Sequence, residues 1–157
     1  TQIALPKIDR SIVLRKDEIV KSLSKLTNSE NVLSHADEIK PYETDALAVY
    51  TQTPLAVVLP ENTSEVSEIL KYCYEENIKV IPRGAGTGLS GGALPLQDAI
   101  VLGLGKFNKI LKIDFENRCV VTQPGVTNLG ITHAVSYEPV VGPHLVSVAS
   151  RPELHLQ

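Results

Sequence analysis

Apolar residues recur at helical spacing in Lys16 to Leu26, "KDEIVKSLSKL", where Ile19, Val20, Leu23 and Leu26 share one face and predict an amphipathic helix. From Thr27 to Tyr50 the period is lost; the stretch is polar and irregular, with Pro41 and a short apolar "NVL". Ala56 to Leu59 is a continuous apolar run stopped by Pro60, which predicts a short strand. Asn62 followed by Glu65 resembles a capping box with Asn in place of Ser or Thr. Val66, Ile69, Leu70 and Cys73 then follow at helical spacing, and Asn77 ends that helix. Lys79 to Ile81 is the next strand and Ile100 to Leu104 a third. A strand, a helix with one apolar stripe and a second strand form a β-α-β pattern, which predicts parallel strands in one small sheet with the helix packed on it. "KILKIDFENRCVVTQPG" reads as a hairpin, Ile110 to Ile113 and Cys119 to Thr122, turning around Glu116-Asn117. Val126 to Val135 is a helix with Thr127 or Asn128 near its start. Beyond Ser136 the pattern decays among Pro139, Pro143 and Pro152, and the chain has no internal repeat or low-complexity tract.

The composition changes this picture little. The chain has 157 residues, 43% hydrophobic and 21% charged, which fits one globular domain of ordinary size. A net charge of −3 gives no basis for a nucleic-acid or anionic-membrane partner. No apolar run reaches the ~18 residues of a membrane span, and "TQIALPKIDRSIVLRKDEIV" lacks the apolar core and cleavage site of a signal peptide. A cytoplasmic location is the expectation. Cys73 and Cys119 read as small buried hydrophobes rather than a disulfide. The absence of methionine, position 1 included, reads as a fragment or a trimmed start.

Candidate chemistry concentrates in "IPRGAGTGLSGGALP", Ile81 to Pro95. A phosphate loop of the Walker type needs a lysine at its end, and this stretch has none. Gly86, Gly88 and Gly91 spell the GxGxxG of a dinucleotide fold, with Asp114 near the place of an acidic ribose partner. That reading requires a helix to start at the loop, and Gly91-Gly92 and Pro95 argue against one. A third reading is an anion nest, in which successive backbone N–H groups curl around phosphate oxygens without a helix. Thr87 and Ser90 add hydroxyls and Arg83 adds positive charge. A structural loop with solvated Thr87 and Ser90 is the fourth. The nest predicts an irregular, exposed segment from Arg83 to Gly92.

"PRGAGTGLSGGALP" resembles the pyrophosphate loop of the FAD-binding domain shared by the vanillyl-alcohol oxidase and MurB-type (PCMH-type) flavoproteins. It is most similar to the branch of FAD-linked glycolate oxidases and D-lactate dehydrogenases. "PYETDALAVYTQTPLAVVLPENTSEVSEIL" resembles that family's entry strand and first helix, and "FNKILKIDFENRCVVTQPGVTNLGI" its hairpin and the turn that follows. The resemblance covers Pro41 to Ser136. It implies an α+β fold, the first subdomain of a PCMH-type FAD-binding domain, incomplete here. It divides the chain into an N-terminal helical and extended arm (1–50), the N-terminal part of the FAD-binding domain (51–136) and an unmatched tail (137–157). Arg83, Gly84, Ala85, Gly86, Thr87, Gly88, Leu89, Ser90, Gly91 and Gly92 would wrap the FAD pyrophosphate. Gln123, Pro124 and Gly125 match a second contact turn, where a glycine lets the backbone approach the cofactor.

The implied reaction is flavin-dependent oxidation of a 2-hydroxy acid, of glycolate or D-lactate type, to a 2-oxo acid, with other subunits of an oxidase complex as partners. No histidine occurs between His35 and His133, and neither cysteine matches an attachment position, so the resemblance implies non-covalent FAD. The substrate arginine and metal-binding histidine pair of the branch have no counterpart here, so no catalytic residue and no metal site is assigned. The alternative is a truncated, non-catalytic remnant that binds FAD weakly or not at all. His133, His144 and His155 stand too far apart for the usual three-to-five-residue ligand spacing. Tyr42, Glu43 and Asp45 match the family but read as structural.

Overall fold

The computed structural model describes residues 6–136 and 147–149. The chain divides into two compact units, Thr1–Leu104 and Gly105–Gln157. The first opens with α1 (Arg10–Leu14) and α2 (Lys16–Leu26), followed by β1 (Val32–Leu33), the short α3 (Ala36–Ile39), β2 (Ala56–Val58), α4 (Thr63–Glu75), β3 (Lys79–Arg83) and β4 (Ala99–Gly103). The second holds β5 (Ile110–Asp114), β6 (Cys119–Thr122), α5 (Asn128–Val135) and β7 (Ser147–Ala149). This is the α+β mixture that the family resemblance implied.

The first unit is built on a four-stranded sheet in the order β1-β2-β4-β3. β2, β4 and β3 run parallel, and β1 pairs antiparallel with β2, Val32 opposite Val58. The strands of the β-α-β pattern are therefore parallel but not neighbours, because β4 lies between them. The order follows from side-chain chemistry. β4, "AIVLG", is buried at every position, as a strand covered on both faces must be. β3 carries Lys79, Pro82 and Arg83; a proline has no N–H for the ladder and suits an edge.

Alternation along the strands sends residues to two cores. Ala56, Val58, Ile100 and Leu102 pack with Ile12, Ile19 and Leu23 of the N-terminal helices and with Ile69 and Cys73 of α4. Val57 and Val101 face the other way, onto Ile39, Leu33, Tyr42, Leu59 and Ile81. The stripe read in Lys16–Leu26 thus buries Ile19 and Leu23 fully. Cys73 is buried, and that burial pushes its thiol up to about 12. Cys119 is only half-buried, and both cysteines are free.

The ends of α4 are set by its own sequence. Asn62 Oδ1 accepts the Glu65 N–H at 2.9 Å. The reciprocal arm of the expected box is displaced by one residue: Glu65 Oε2 accepts the Glu61 N–H at 3.0 Å and the Thr27 hydroxyl at 2.7 Å. At the other end Asn77 is left-handed, with φ 55°. Ile78 N–H donates to Cys73 O at 2.8 Å and Asn77 N–H to Tyr74 O at 3.3 Å, the paired bonds of a Schellman stop.

In the second unit β5 and β6 form the expected antiparallel hairpin, and β7 joins β6 in parallel, Ser147 beside Cys119. β7 lies in the stretch where the sequence shows no period. α5 begins at Asn128, and Thr127 Oγ1 caps it by accepting the Gly130 N–H at 3.0 Å.

Candidate functional site

β3 and β4 are adjacent and parallel, so the chain must return from the carboxyl end of one to the start of the other. Such crossovers are usually helical. Here the whole return, Gly84 to Asp98, is irregular, and no helix begins in it. The requirement of the dinucleotide-fold reading is therefore unmet: the first helix after the loop is α5, far along the chain. Asp114 is occupied elsewhere. Its carboxylate accepts the Asn117 N–H at 2.9 Å and holds the turn between β5 and β6.

Gly84, Ala85, Thr87, Gly88, Leu89, Ser90 and Gly92 are exposed, while Gly86 and Gly91 are half-buried. Gly86 and Gly91 have φ of 72° and 73°, a region that strains any residue with a Cβ. At Gly84, Gly88 and Gly92 an added Cβ would meet nothing within 4 Å. From Gly84 to Ala93 no backbone N–H donates to an acceptor among the described residues. The carbonyls at Gly86 and Gly91 do accept, from Ala46 N–H at 2.9 Å and Leu94 N–H at 3.2 Å. Two of the loop's carbonyls thus accept from protein, while its N–H groups have no protein partner among the described residues. Amides without protein partners, beside glycines whose Cβ positions are open, can be approached closely by an anion. In open sheets with parallel strands, ligands gather at the carboxyl ends of the strands, and the loop starts at such an end.

Arg83 lays its guanidinium against Gly86, where an added Cβ would overlap it, and turns its donors toward the segment before β2. Its Nη1–H donates to Thr44 O at 2.7 Å, its Nη2–H points to Pro41 O at 3.4 Å, and its guanidinium lies 5.4 Å from the centre of the Tyr42 ring. Asp45, in the same segment, is buried. Its Oδ1 accepts the Leu47 N–H at 2.9 Å, and Oδ2 has no partner among the described residues. The sequence gives no local signal that Pro41–Leu47 would meet a loop some forty residues later.

Gln123, Pro124 and Gly125 lie in the second unit. Gln123 N–H donates to Lys109 O at 2.9 Å, its Oε1 accepts the Lys109 N–H at 3.0 Å, and Gly125 N–H donates to Phe107 O at 2.7 Å. These amides are spent inside their own unit, unlike those of the glycine loop. Among the described residues no group of His, Cys, Asp and Glu is placed to hold a metal ion. His133 sits in the last turn of α5, and His144 and His155 fall outside the described residues. No helix among the described residues is long and apolar enough to cross a membrane.

Comparison with known proteins gives the family of the chain. A family model described as "FAD binding domain" matches residues 54–149. The match runs past Tyr137, where the sequence reading ended the resemblance. The chain is 43% identical over 133 residues to glycolate oxidase subunit GlcD of Escherichia coli K12, covering 85% of this chain and 26% of that protein. It is 41% identical over 97 residues to a D-lactate dehydrogenase of Archaeoglobus fulgidus, covering 59% and 22%. Among solved structures, p-cresol methylhydroxylase with substrate bound superposes with a TM-score of 0.68 at 28% identity, over 85% of this chain and 26% of that one. 4-Ethylphenol oxidase from Gulosibacter chungangensis gives 0.69 at 25% identity, over 84% and 26%. The chain spans about a quarter of the length of these relatives.

Proposed function

The chain belongs to the FAD-binding domain family, and on that premise we propose that Gly84–Gly92 holds the pyrophosphate of non-covalent FAD in a flavin-dependent oxidoreductase acting on a 2-hydroxy acid. The observation that carries the loop assignment is that no N–H from Gly84 to Ala93 has a protein partner among the described residues, while a Cβ added at Gly84, Gly88 or Gly92 would meet nothing within 4 Å. That arrangement fits a group with two linked phosphates, because several N–H donors can point at oxygens that come close to the backbone. Thr87 and Ser90, both exposed, add hydroxyl donors from the same loop. Gln123, Pro124 and Gly125, matched by resemblance to a second contact turn, spend the Gln123 and Gly125 N–H groups within their own unit, so any contact there is by surface rather than by those amides.

When bound, FAD supplies the redox chemistry, and the protein contributes position and electrostatics. The substrate class is supported by the relatives named glycolate oxidase subunit and D-lactate dehydrogenase. The word subunit in the first name supports further subunits of an oxidase complex as partners.

The loop assignment is tested by amide NMR on the purified chain. Inorganic pyrophosphate and FAD should each shift the amides of Gly84–Gly92, whereas riboflavin, which lacks the phosphates, should leave them in place. Equal shifts with riboflavin, or none with pyrophosphate, would overturn it. The substrate class is tested in the complete enzyme by dye reduction with glycolate or D-lactate; reduction by neither overturns that part alone.

A further inference from the structure

The five glycines between Gly84 and Gly92 fall into two groups by what lies beside them. Gly84, Gly88 and Gly92 face open space. Gly86 and Gly91, the two with left-handed φ, face protein: a Cβ at Gly86 would overlap the Arg83 guanidinium, and one at Gly91 would meet Leu47 Cδ2 at 3.8 Å. Both inward glycines are therefore seated on Arg83 and the segment it binds, Pro41–Leu47. Ala46 N–H closes the seat by donating to Gly86 O at 2.9 Å.

We infer that Arg83 is a positioning residue for the glycine loop and not a ligand of the phosphates. Its Nη1–H and Nη2–H are directed at two carbonyls, those of Thr44 and Pro41, and one face of its guanidinium lies over the Tyr42 ring. A planar fork can meet two carbonyls and stack on a ring at once, whereas a lysine ammonium can supply the charge but not that geometry. Arg83 ends β3, so it fixes the direction in which the chain leaves the strand, and Gly86 has no side chain to displace it. Tyr42 is the platform and Ala46 the latch. The open side of the loop at Gly84, Gly88 and Gly92 keeps its place because the inward side is fastened.

The inference rests on the anion reading of the same loop, but the two fail separately, because the seat is read without ligand. Exchange of the Ala46 amide reports closure of the loop on Pro41–Leu47. It should accelerate tenfold or more in both Arg83→Lys and Arg83→Gln, and severalfold in Tyr42→Ala, while the amide of Ile100 in β4 keeps its protection. The pyrophosphate-induced shifts at Gly84–Gly92 should fall equally in Arg83→Lys and Arg83→Gln. Unchanged Ala46 exchange in the Arg83 variants would overturn the inference. So would a pyrophosphate response kept by Arg83→Lys and lost by Arg83→Gln, the pattern of a charge in contact with the anion. Should the Arg83 variants fail to fold, Tyr42→Ala decides: faster Ala46 exchange supports the seat, and unchanged exchange overturns it. A wild-type chain silent to pyrophosphate removes the anion reading and leaves the exchange result standing.

Discussion

Glycine means different things at adjacent positions of one loop, and substitution separates the meanings. Gly86 has φ 72° and Arg83 against it; Gly88 has neither a left-handed backbone nor a neighbour. Gly86→Ala should cost roughly 1–2 kcal/mol from the left-handed backbone alone, measured as a lowered denaturation midpoint. Gly88→Ala should leave that midpoint in place and weaken the pyrophosphate response of the loop amides, because its methyl occupies the open face. Equal stability loss in both would mean that the loop is a uniform structural turn. The sequence identified the loop by its glycine content, but it could not sort the glycines, because the sorting depends on Arg83 meeting Pro41 and Thr44. Arg83 itself invites a reading as a phosphate ligand from its place at a strand end. Nothing local says that two of its five N–H donors go to backbone carbonyls.

At the scale of elements, what was legible is what local chemistry decides. α2 and α4 follow their apolar stripes, and Asn62 and Asn77 mark the ends of α4 because a cap and a left-handed stop are local events. Asn62→Ala should cost about 1 kcal/mol, and Asn77→Ala a comparable ~1–2 kcal/mol for a left-handed residue, both read as shifts in denaturant midpoint. A loss below the error of measurement in both would mean that packing of Ile69 and Cys73 alone sets the helix. β1 and β7 were not legible, being two and three residues long and defined only by their partners β2 and β6. The position of β4 between β2 and β3 is likewise a pairing choice that periodicity does not carry.

The β5–β6 hairpin adds a pH dependence. Asp114 sits at about 2, held down first by the Asn117 N–H, then by Lys112 and the Asn117 side chain. A carboxyl lowered in the folded state contributes stability above its unfolded value, about 3.9, and that contribution is lost as pH falls toward 2. Exchange at the Asn117 amide, corrected for intrinsic pH effects, should therefore rise in that window in the wild type, and Asp114→Asn should abolish the dependence. A flat wild-type profile would remove Asp114 from the turn.

For the molecule as a whole, the fold leaves the glycine loop in water. Gly84, Ala85 and Thr87 through Ser90 are exposed, with Leu89 at 73%. Deep cofactor sites bury most of their ligand against apolar walls, whereas this loop stands open to water from Gly84 to Ala85 and from Thr87 to Ser90. An uncovered ring face of order 100 Å² at ~25 cal/mol per Å² forfeits about 2–3 kcal/mol, or roughly two orders of magnitude in affinity. The chain studied alone should therefore hold FAD at least a hundredfold more weakly than a complete flavoenzyme carrying the same loop. It should leave gel filtration colourless after incubation with excess FAD, and with glycolate or D-lactate it should reduce a dye no faster than free FAD does. Pyrophosphate recognition should survive at millimolar ligand, because it depends on the loop and not on the ring. A yellow chain that keeps flavin through the column would mean that these 157 residues already enclose the isoalloxazine ring. Turnover above the free-FAD control would go further and place the reacting centre within them.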